Sequence, residues 1–309
     1  MKRTAILCEM LGTRYPLMQG GMAHISDARL AAAVSNGGGL GIISAASGNI
    51  QQIADQIDEA RRLTDKPFGV NIMLRGENID GIAKLIAEKK VAVVTTGAGS
   101  PAAYIPMWRE AGVKVIPVIS TAAMAQLMEK SGADAVVAEG TESGGHVGEM
   151  TTMALVPQVC DAVKIPVIAA GGIADGRGFA AALMLGACGV QIGTRFLAAE
   201  ECSISEEYKT RVLKAKDTST VVTGRRLGHP VRSLKSAFSR AYAKAEYTDI
   251  SDEALEAMAV GTLRAAVVDG DPKKGCFLAG QISGLVEKEQ PAAEIIAEIM
   301  KQAESLLCE

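Results

Sequence analysis

Short runs of β-branched and aliphatic residues alternate with segments of helical composition along the first two thirds of the chain. Eight such runs recur at a spacing of about 25 residues, a pattern typical of parallel strands joined by helical crossovers. The predicted strands span residues 16–20, 40–44, 68–73, 91–96, 114–120, 135–139, 166–170 and 189–193. Eight strand–helix units close the sheet, so the pattern predicts an α/β fold of the (β/α)8 TIM-barrel class.

An open, doubly wound sheet is the alternative to a barrel. Such a sheet usually carries a GxGxxG fingerprint after its first strand. The segment that follows the first predicted strand here includes QGGMAHISD, residues 19–27, which lacks that fingerprint. The barrel is therefore the favoured fold.

The alternation of strands and helices stops after Phe196. Residues 206–216 and 291–307 have helical composition, and the second segment places Ile295, Ile296 and Ile299 with Met300 on one face. We expect that segment to be the eighth barrel helix or its extension. The predicted organisation is a barrel of residues 1–200 and 290–309, with a helical subdomain of residues 201–289 over the barrel mouth as a lid or a structural insertion.

The composition and charge of the chain argue against a nucleic-acid-binding, membrane-spanning or secreted protein. The 309 residues are 48% hydrophobic with a formal net charge of −3, which gives no reason to expect nucleic acid or a membrane as a partner. The longest apolar run, residues 179–190, is far shorter than the roughly 20 residues that a membrane span needs. The N-terminal apolar stretch is too short for a secretory signal, so a cytoplasmic location is expected.

Cysteine and histidine spacing argues against a metal site. The six cysteines form no CxxC pair and have no adjacent histidine, so we expect them to be reduced. The three histidines form no HxH or HExxH motif. No metal ligands are therefore predicted.

Two strand ends carry glycines that predict a phosphate site. Residues 166–170 run into Gly171 and Gly172 just before a helical segment at 175–185, and the last predicted strand runs into Gly193 and Thr194. Bare backbone N–H groups beside the positive end of a helix dipole bind anions. The two glycine turns are expected to hold one phosphate group from two sides, although a single glycine usually only relieves a turn.

The best catalytic candidate is His146, which lies on the glycine-rich loop TESGGHVG after the sixth predicted strand. Nothing in this loop indicates a buried position, and a histidine at a barrel mouth is suited to acid–base chemistry. His24 follows the first strand closely enough to line the same mouth. His229 lies after the barrel and is the weaker candidate.

Flavin mononucleotide (FMN) is a ligand whose phosphate, ring and polar atoms would each match residues at these strand ends. Its phosphate would occupy the glycine turns, its ring would lie over the backbone of residues 21–23, and Asn71 and Gln191 would bind its polar atoms. A sugar phosphate would also fit the phosphate site but needs no apolar platform. A Schiff-base aldolase needs a lysine inside the barrel, and Lys114 lies at the wrong end of its strand.

The motifs QGGMA, KPFGVNIML, VVTTGAG, AEGTESGGHVG, IPVIAAGGIADGRG and QIGTRF resemble the flavin-dependent superfamily that holds the nitronate monooxygenases and the FabK-type enoyl-[acyl-carrier-protein] reductases II. The resemblance covers nearly the whole chain. The segments KPFGVNIML, TTMALVPQV, GHPVR and AGQISGLV favour the reductase. Nitronate monooxygenases usually have glutamine where this chain has Glu139, which is a further indication of the reductase.

The resemblance implies His146 as the catalytic histidine and FMN contacts from Gly21, Met22, Ala23, Asn71, Glu139, Gly144, Gly145, Gly171, Gly172, Gln191, Gly193 and Thr194. The implied reaction is reduction of trans-2-enoyl-acyl carrier protein by NADH or NADPH, the last reductive step of fatty-acid elongation. The alternative is FMN- and oxygen-dependent oxidation of alkyl nitronates. A homodimer and a response to monovalent cations are also expected, although the sequence contains no cation-ligand pattern.

A basic segment suggests where acyl carrier protein docks. Residues 218–245 contain no acidic residue and six positive ones: Arg225, Arg226, Arg232, Lys235, Arg240 and Lys244. We expect this segment to be a landing surface for the acidic carrier protein, with a solvated helix face as the alternative. Arg232, Lys235 and Arg240 have the spacing of one helix side, although Pro230 limits where that helix begins.

Overall fold

A computed structural model describes residues 2–46 and 48–308. All eight predicted barrel strands are confirmed, each within two residues of its predicted ends. The barrel strands are β1 (Leu17–Gln19), β2 (Gly41–Ser44), β3 (Phe68–Met73), β4 (Val93–Gly97), β5 (Lys114–Ile119), β6 (Val136–Glu139), β8 (Val167–Ala170) and β9 (Gly189–Ile192), and the short β7 (Gly145–His146) lies outside the barrel.

The eight strands are parallel and form a (β/α)8 TIM barrel, as predicted. Their order in the sheet is β1, β9, β8, β6, β5, β4, β3, β2. A parallel bridge between Met18 and Leu40 joins the first and last of them. The Gln19 N–H donates to the Leu40 carbonyl at 2.9 Å, and the Leu40 N–H donates to the Leu17 carbonyl at 2.9 Å. All eight carboxyl ends therefore open on one face.

Helices cover the outer surface of the barrel and its amino-terminal end. They are α1 (Lys2–Leu11), α2 (Ala28–Asn36), α3 (Ile50–Leu63), α4 (Ile79–Glu88), α5 (Ile105–Glu110), α6 (Ala122–Ser131), α7 (Thr152–Ala162), α8 (Gly176–Met184) and, at the end of the chain, α13 (Ala292–Cys308). None of the helices in the described part of the chain is long and apolar enough to cross a bilayer.

The C-terminal helix completes the barrel as predicted. It packs against α8 and α2, and the four apolar residues predicted for its inner face, among them Ile295 and Met300, are all buried. The contact with α8 is close, because a Cβ at Gly176 would lie 2.5 Å from the backbone nitrogen of Ala303.

The barrel interior is filled from its amino-terminal end. Met18, Ile42 and Ile168 belong to a buried cluster that also includes Leu7 and Leu11 of α1. Because α1 and these side chains fill this end, the space for a ligand lies at the carboxyl ends of the strands.

The segment between the barrel and α13 is only partly helical. It contains α9 (Glu206–Leu213), β10 (Thr220–Thr223), β11 (Val231–Leu234), α10 (Ala237–Ala245), α11 (Asp252–Ala259) and α12 (Thr262–Val267). The two strands form an antiparallel hairpin that the sequence analysis missed, and β11 also pairs with β7, placing Val231 opposite His146. The predicted helix through Arg232 is therefore wrong, because the β-branched run at residues 220–223 pairs with β11 instead.

Candidate active site

The carboxyl ends of the barrel strands surround a cavity of about 680 Å³. Every residue predicted for the site lines it: His146, Gly21, Met22, Ala23, Asn71, Glu139, Gly144, Gly145, Gly171, Gly172, Gln191, Gly193 and Thr194. The fold thus brings together residues that are up to 173 positions apart in sequence.

The loop after β1 forms one wall and is fixed by polar contacts beneath it. The Ser26 hydroxyl accepts hydrogen bonds from the Met22 N–H at 2.9 Å and from the Gln19 side-chain amide at 2.6 Å. Gly21 packs on Asn71 so closely that a Cβ there would lie 2.3 Å from the Asn71 Cβ. A side chain at position 21 would therefore displace Asn71 from the cavity wall.

The two glycines after β8 have backbone conformations that other residues rarely adopt. Gly171 has φ of 88° and Gly172 has φ of 71°. A Cβ at Gly171 would also lie 2.8 Å from the Gly140 carbonyl oxygen. These positions require glycine, and they turn the backbone along the cavity wall.

The N–H groups at the start of α8, beside which the sequence predicts a phosphate, already have partners within the protein. The Asp175 carboxylate caps this helix by accepting from the N–H groups of Arg177 at 3.0 Å and Gly178 at 3.3 Å. The Gly176 N–H donates to Gln302 at 2.8 Å. Because these groups already have partners, only the glycine turns themselves remain for an anion.

The segment AGQISGLV, residues 279–286, which the sequence analysis did not place at the site, covers the turn after β9. The Thr194 hydroxyl accepts from the Gly280 N–H at 2.8 Å, and the Gln281 N–H donates to the Glu142 carbonyl at 2.9 Å. Gly144 lies against the same segment, where a Cβ would be 2.6 Å from the Ala279 carbonyl carbon. Residues 279–281 therefore join the histidine loop to the turn at Gly193 and Thr194.

Glu139 is an acid in a low-polarity position at the end of β6. Loss of water around its carboxyl group raises its pKa to about 7, and the Ser143 hydroxyl offsets a smaller part of that shift. By geometry, however, Ser143 Oγ is buried without a hydrogen-bond partner in the described residues, so burial is the dominant influence on this carboxyl group. Glu139 is therefore partly protonated at neutral pH.

His146 is held by the hairpin of the insertion. Its strand β7 pairs with β11, and the Val147 N–H donates to the Pro230 carbonyl at 3.0 Å. The imidazole remains accessible from the cavity, but removal of water by surrounding protein lowers its pKa, and the positive charges of His229 and Arg75 add to that effect. The ring is therefore mainly neutral at pH 7 and can act as a hydrogen-bond donor or acceptor.

The positions of His24 and His229 are the reverse of those expected, since His24 was predicted to line the barrel mouth and His229 was the weaker candidate. His24 has a left-handed backbone with φ of 60°, is exposed, and does not line the cavity. His229 does line it, because the β10–β11 turn reaches over the barrel mouth. Arg75, two residues after β3, also lines the cavity and was missed, although its position after a barrel strand was a usable signal.

The cavity fits FMN. The Gln191 side chain lines it, is only 9% exposed, and forms no hydrogen bond to any residue that the structure describes. Ser143 Oγ is likewise buried on the cavity wall without a partner. An unpaired buried polar group is costly, and a ligand with several hydrogen-bonding atoms would satisfy the Ser143 hydroxyl and offer partners to the Gln191 amide. The glycine turns add space and backbone N–H groups for a phosphate.

Sequence comparisons show which known proteins this chain is similar to. The family model described as nitronate monooxygenase matches residues 4–84 and 74–302. A 5-hydroxy-7a-methyl-1-oxo-octahydro-1H-indene-4-carboxyl-CoA dehydrogenase of Mycobacterium tuberculosis is 34% identical over 98% of this chain and 97% of its own. A protein of Staphylococcus aureus named as a probable nitronate monooxygenase is 34% identical over 97% of this chain and 98% of its own.

Solved structures show the same likeness over the whole chain. FabK from Thermotoga maritima has a TM-score of 0.95 and 47% identity, covering 98% of this chain and 96% of its own. Nitroalkane oxidase from Streptomyces ansochromogenes has a TM-score of 0.87 and 28% identity, covering 98% of this chain and 99% of its own. The chain therefore belongs to the nitronate monooxygenase family, whose members are FMN-dependent oxidoreductases.

Proposed function

We propose that this protein is an enoyl-[acyl-carrier-protein] reductase that uses FMN and takes its electrons from NADH or NADPH. The observation that carries the proposal is the 47% identity to FabK from Thermotoga maritima over 98% of this chain. Identity to the nitroalkane oxidase is lower, at 28%. A thioester substrate is further supported by the Mycobacterium tuberculosis relative, which is named for a carboxyl-CoA substrate.

Bound FMN would supply hydride transfer between NAD(P)H and the β-carbon of the enoyl thioester. The turns at Gly171–Gly172 and Gly193–Thr194 would hold its phosphate through backbone N–H groups. Asn71 and Gln191 would bind polar atoms of its ring or ribityl chain, and the backbone of residues 21–23 would support the ring. The Gln191 side chain lines the cavity and has no hydrogen-bond partner within the described chain, which leaves it available for that contact.

His146 is proposed as the catalytic residue that acts on the thioester. As the β-carbon receives hydride, negative charge develops on the thioester oxygen and the α-carbon needs a proton. A neutral imidazole N–H can stabilise that charge by a hydrogen bond or supply the proton. The lowered pKa of His146 keeps this neutral form dominant at pH 7.

Nitronate monooxygenase activity is the second candidate. It is favoured by the name of the Staphylococcus aureus relative, at 34% identity, and by the family model. This reaction would use the same FMN site and the same histidine, so the site residues alone discriminate weakly. It differs in its electron source, since oxygen is consumed with the nitronate and no nicotinamide is required.

A pair of steady-state assays separates the two activities. A reductase oxidises NADH or NADPH when given a crotonyl thioester, with stoichiometric loss of the enoyl double bond. A nitronate monooxygenase consumes oxygen with an alkyl nitronate and leaves NAD(P)H untouched. Oxygen uptake with nitronate and no thioester-dependent oxidation of NAD(P)H would reject the reductase proposal.

A further inference from the structure

Three side chains that are positively charged or can become so line the cavity rim. Arg75 follows β3, His146 lies on β7 and His229 lies in the turn between β10 and β11. Each of the three is exposed. Since they come from separate parts of the chain, only the folded barrel with its hairpin brings them together.

The charges of Arg75 and His229 both act on His146. Both groups share the cavity rim with His146, where loss of water lowers the pKa of the imidazole and their charges add to that effect. A guanidinium is a permanent positive charge, so Arg75 attracts an anion to this rim. A phosphate bound there can accept hydrogen bonds from both Arg75 and His229.

Neither Arg75 nor His229 is paired with a carboxylate in the part of the chain that the structure describes. Within residues 2–46 and 48–308, neither Arg75 nor His229 forms an ion pair or a side-chain hydrogen bond. Of the cavity carboxylates, Glu142 is bound to the Thr152 N–H at 2.9 Å, and Glu139 is partly neutral with a pKa of about 7. The rim cations are therefore available to a ligand.

Arg226, in the same β10–β11 turn as His229, is an arginine with a structural role and can be compared with Arg75. Its guanidinium donates to the carbonyls of Thr248 at 3.0 Å and Ile250 at 2.6 Å and pairs with Asp252 at 2.9 Å. Those contacts tie the turn to the next helices. Arg75 has no comparable contacts within the described chain, so packing of the rim does not account for it.

The two substrates of the proposed reaction share one chemical feature far from the reacting carbons. NADH and NADPH carry a pyrophosphate, and a thioester on acyl carrier protein or coenzyme A carries a phosphodiester or pyrophosphate on its pantetheine arm. Donor and acceptor react at one cofactor, so each must enter this cavity. A single anion site at the rim could therefore serve both.

We propose that Arg75 and His229 form a phosphate subsite that binds the nicotinamide donor and the acyl thioester in turn. The inference rests on the proposed function, because it takes both substrates from that reaction. Arg75 contributes a permanent charge that can bind a phosphate through two N–H groups. His229 contributes a second donor from the hairpin, and His146 remains directed at the reacting thioester.

Substrates with and without phosphate test the subsite. The pairs are NADH against N-benzyl-1,4-dihydronicotinamide, and crotonyl-CoA against crotonyl-N-acetylcysteamine. In Arg75→Gln, we expect the ratio of KM for the phosphate-bearing member to KM for its phosphate-free partner to rise about 10-fold for both pairs, the effect of losing one charged contact. His229→Gln should change the ratios in the same direction by a smaller factor, and added salt should reduce the effect.

Arg29→Gln is the matched control, because Arg29 is exposed on α2 and does not line the cavity. It should leave both ratios at the wild-type value. A rise confined to one pair would overturn the shared subsite. Equal KM changes for phosphate-bearing and phosphate-free members would overturn it as well, since Arg75 would then act on the site as a whole.

Binding of inorganic pyrophosphate gives a readout independent of turnover. Calorimetry on the protein saturated with FMN should show pyrophosphate binding that weakens by about 10-fold in Arg75→Gln and is unchanged in Arg29→Gln. Absence of binding, or equal binding by Arg75→Gln, would reject the subsite whatever the reaction. Arg75-dependent binding without any thioester reduction would reject the reductase proposal and leave the anion site standing.

Discussion

His146 is positioned by backbone pairing, so its side chain can be removed without loosening the loop that carries it. The contacts that hold it are the pairing with β11 and the bond from the Val147 N–H to the Pro230 carbonyl. We expect His146→Ala to retain FMN and to lower kcat by roughly 10²- to 10⁴-fold, the usual effect of losing a positioned acid or charge stabiliser. Flavin content by absorbance and turnover by NAD(P)H oxidation measure both. Loss of flavin from the variant would instead make His146 structural.

Glu139 should leave a pH signature in the stability of the FMN-free protein. Its pKa rises from 4.5 to about 7 on folding, so the unfolded chain loses this proton first as pH increases. Stability is therefore unaffected below pH 4.5, falls as pH rises from 4.5 to 7, and stays reduced above 7, by about 3 kcal/mol for a shift of this size.

Glu139→Gln removes that proton and isolates its contribution. The melting temperature of the variant minus that of the wild type should grow steadily between pH 5 and pH 7 and then level off. Other titrating groups, including His146, are common to both proteins and cancel in the difference. A difference that does not vary with pH would show that Glu139 keeps an ordinary pKa.

At the scale of single residues, sequence reasoning succeeded where chemistry and position coincide. Glycines at strand ends and a histidine among glycines lie directly after barrel strands, and all of them line the cavity. Arg232 was assigned to a docking surface and the supporting Thr152 was missed, because their partners at Thr141 and Glu142 lie 91 and 10 positions away. Such contacts exist only after the loops have packed.

Among the elements, the β10–β11 hairpin is the one that holds the histidine loop. Arg232 of β11 is 7% exposed, and its guanidinium donates to the Thr141 carbonyl at 3.1 Å and to the Thr220 hydroxyl at 3.0 Å. These bonds join the histidine loop to both hairpin strands. Arg232 is thus a positioning residue rather than part of a docking surface.

Arg232→Ala should lower both stability and turnover. Loss of hydrogen bonds from a buried charged group costs about 2 kcal/mol or more, and displacement of His146 should reduce kcat about 10-fold with FMN retained. Arg232→Lys should recover only part of the loss, because an ammonium group does not reproduce the guanidinium geometry. Thermal melting and steady-state turnover are the measurements, with Arg29→Ala as control. Unchanged kcat in a destabilised Arg232→Ala would limit this residue to folding.

Two exposed basic residues of segment 218–245 can still test whether this segment binds acyl carrier protein. Lys235 and Arg240 are exposed, whereas Arg226 and Arg232 are held by internal contacts. Reversing Lys235 and Arg240 to glutamate should raise KM for crotonyl-acyl carrier protein about 10-fold at low salt and leave crotonyl-N-acetylcysteamine nearly unaffected. The matched control reverses Lys84 and Lys301, which are exposed on the outer helices α4 and α13. Equal effects on both thioesters would reject docking at this surface.

The barrel strands could be predicted from the sequence and the β10–β11 hairpin could not, because only the strands have a strong local sequence pattern. The barrel strands were predicted to within two residues because each is a buried β-branched run followed by a helix. The hairpin was missed because its strands have four residues each, and β11 gains its second partner from the two-residue β7. Pairing between such short and distant segments depends on tertiary contacts and leaves little periodicity in the sequence.

At the scale of the whole molecule, the barrel should be isolated as a yellow protein. The cavity of about 680 Å³ with its glycine turns and unpaired Gln191 and Ser143 side chains fits non-covalent FMN. We expect a flavin absorption spectrum after purification, or after addition of FMN, and release of free FMN on acid denaturation. A colourless protein that takes up no FMN would favour an FMN-free barrel that binds a sugar phosphate.

The proposed reaction requires electrons to pass from NADH or NADPH to the bound flavin and then to the enoyl thioester. Under anaerobic conditions the flavin absorbance of the protein is first bleached with one equivalent of NADH or NADPH, and crotonyl-acyl carrier protein is then added by rapid mixing. We expect the bleached absorbance to return in a single turnover, with formation of one butyryl thioester for each flavin. A flavin that NAD(P)H does not bleach, or one that regains its absorbance only when oxygen is admitted, would contradict it.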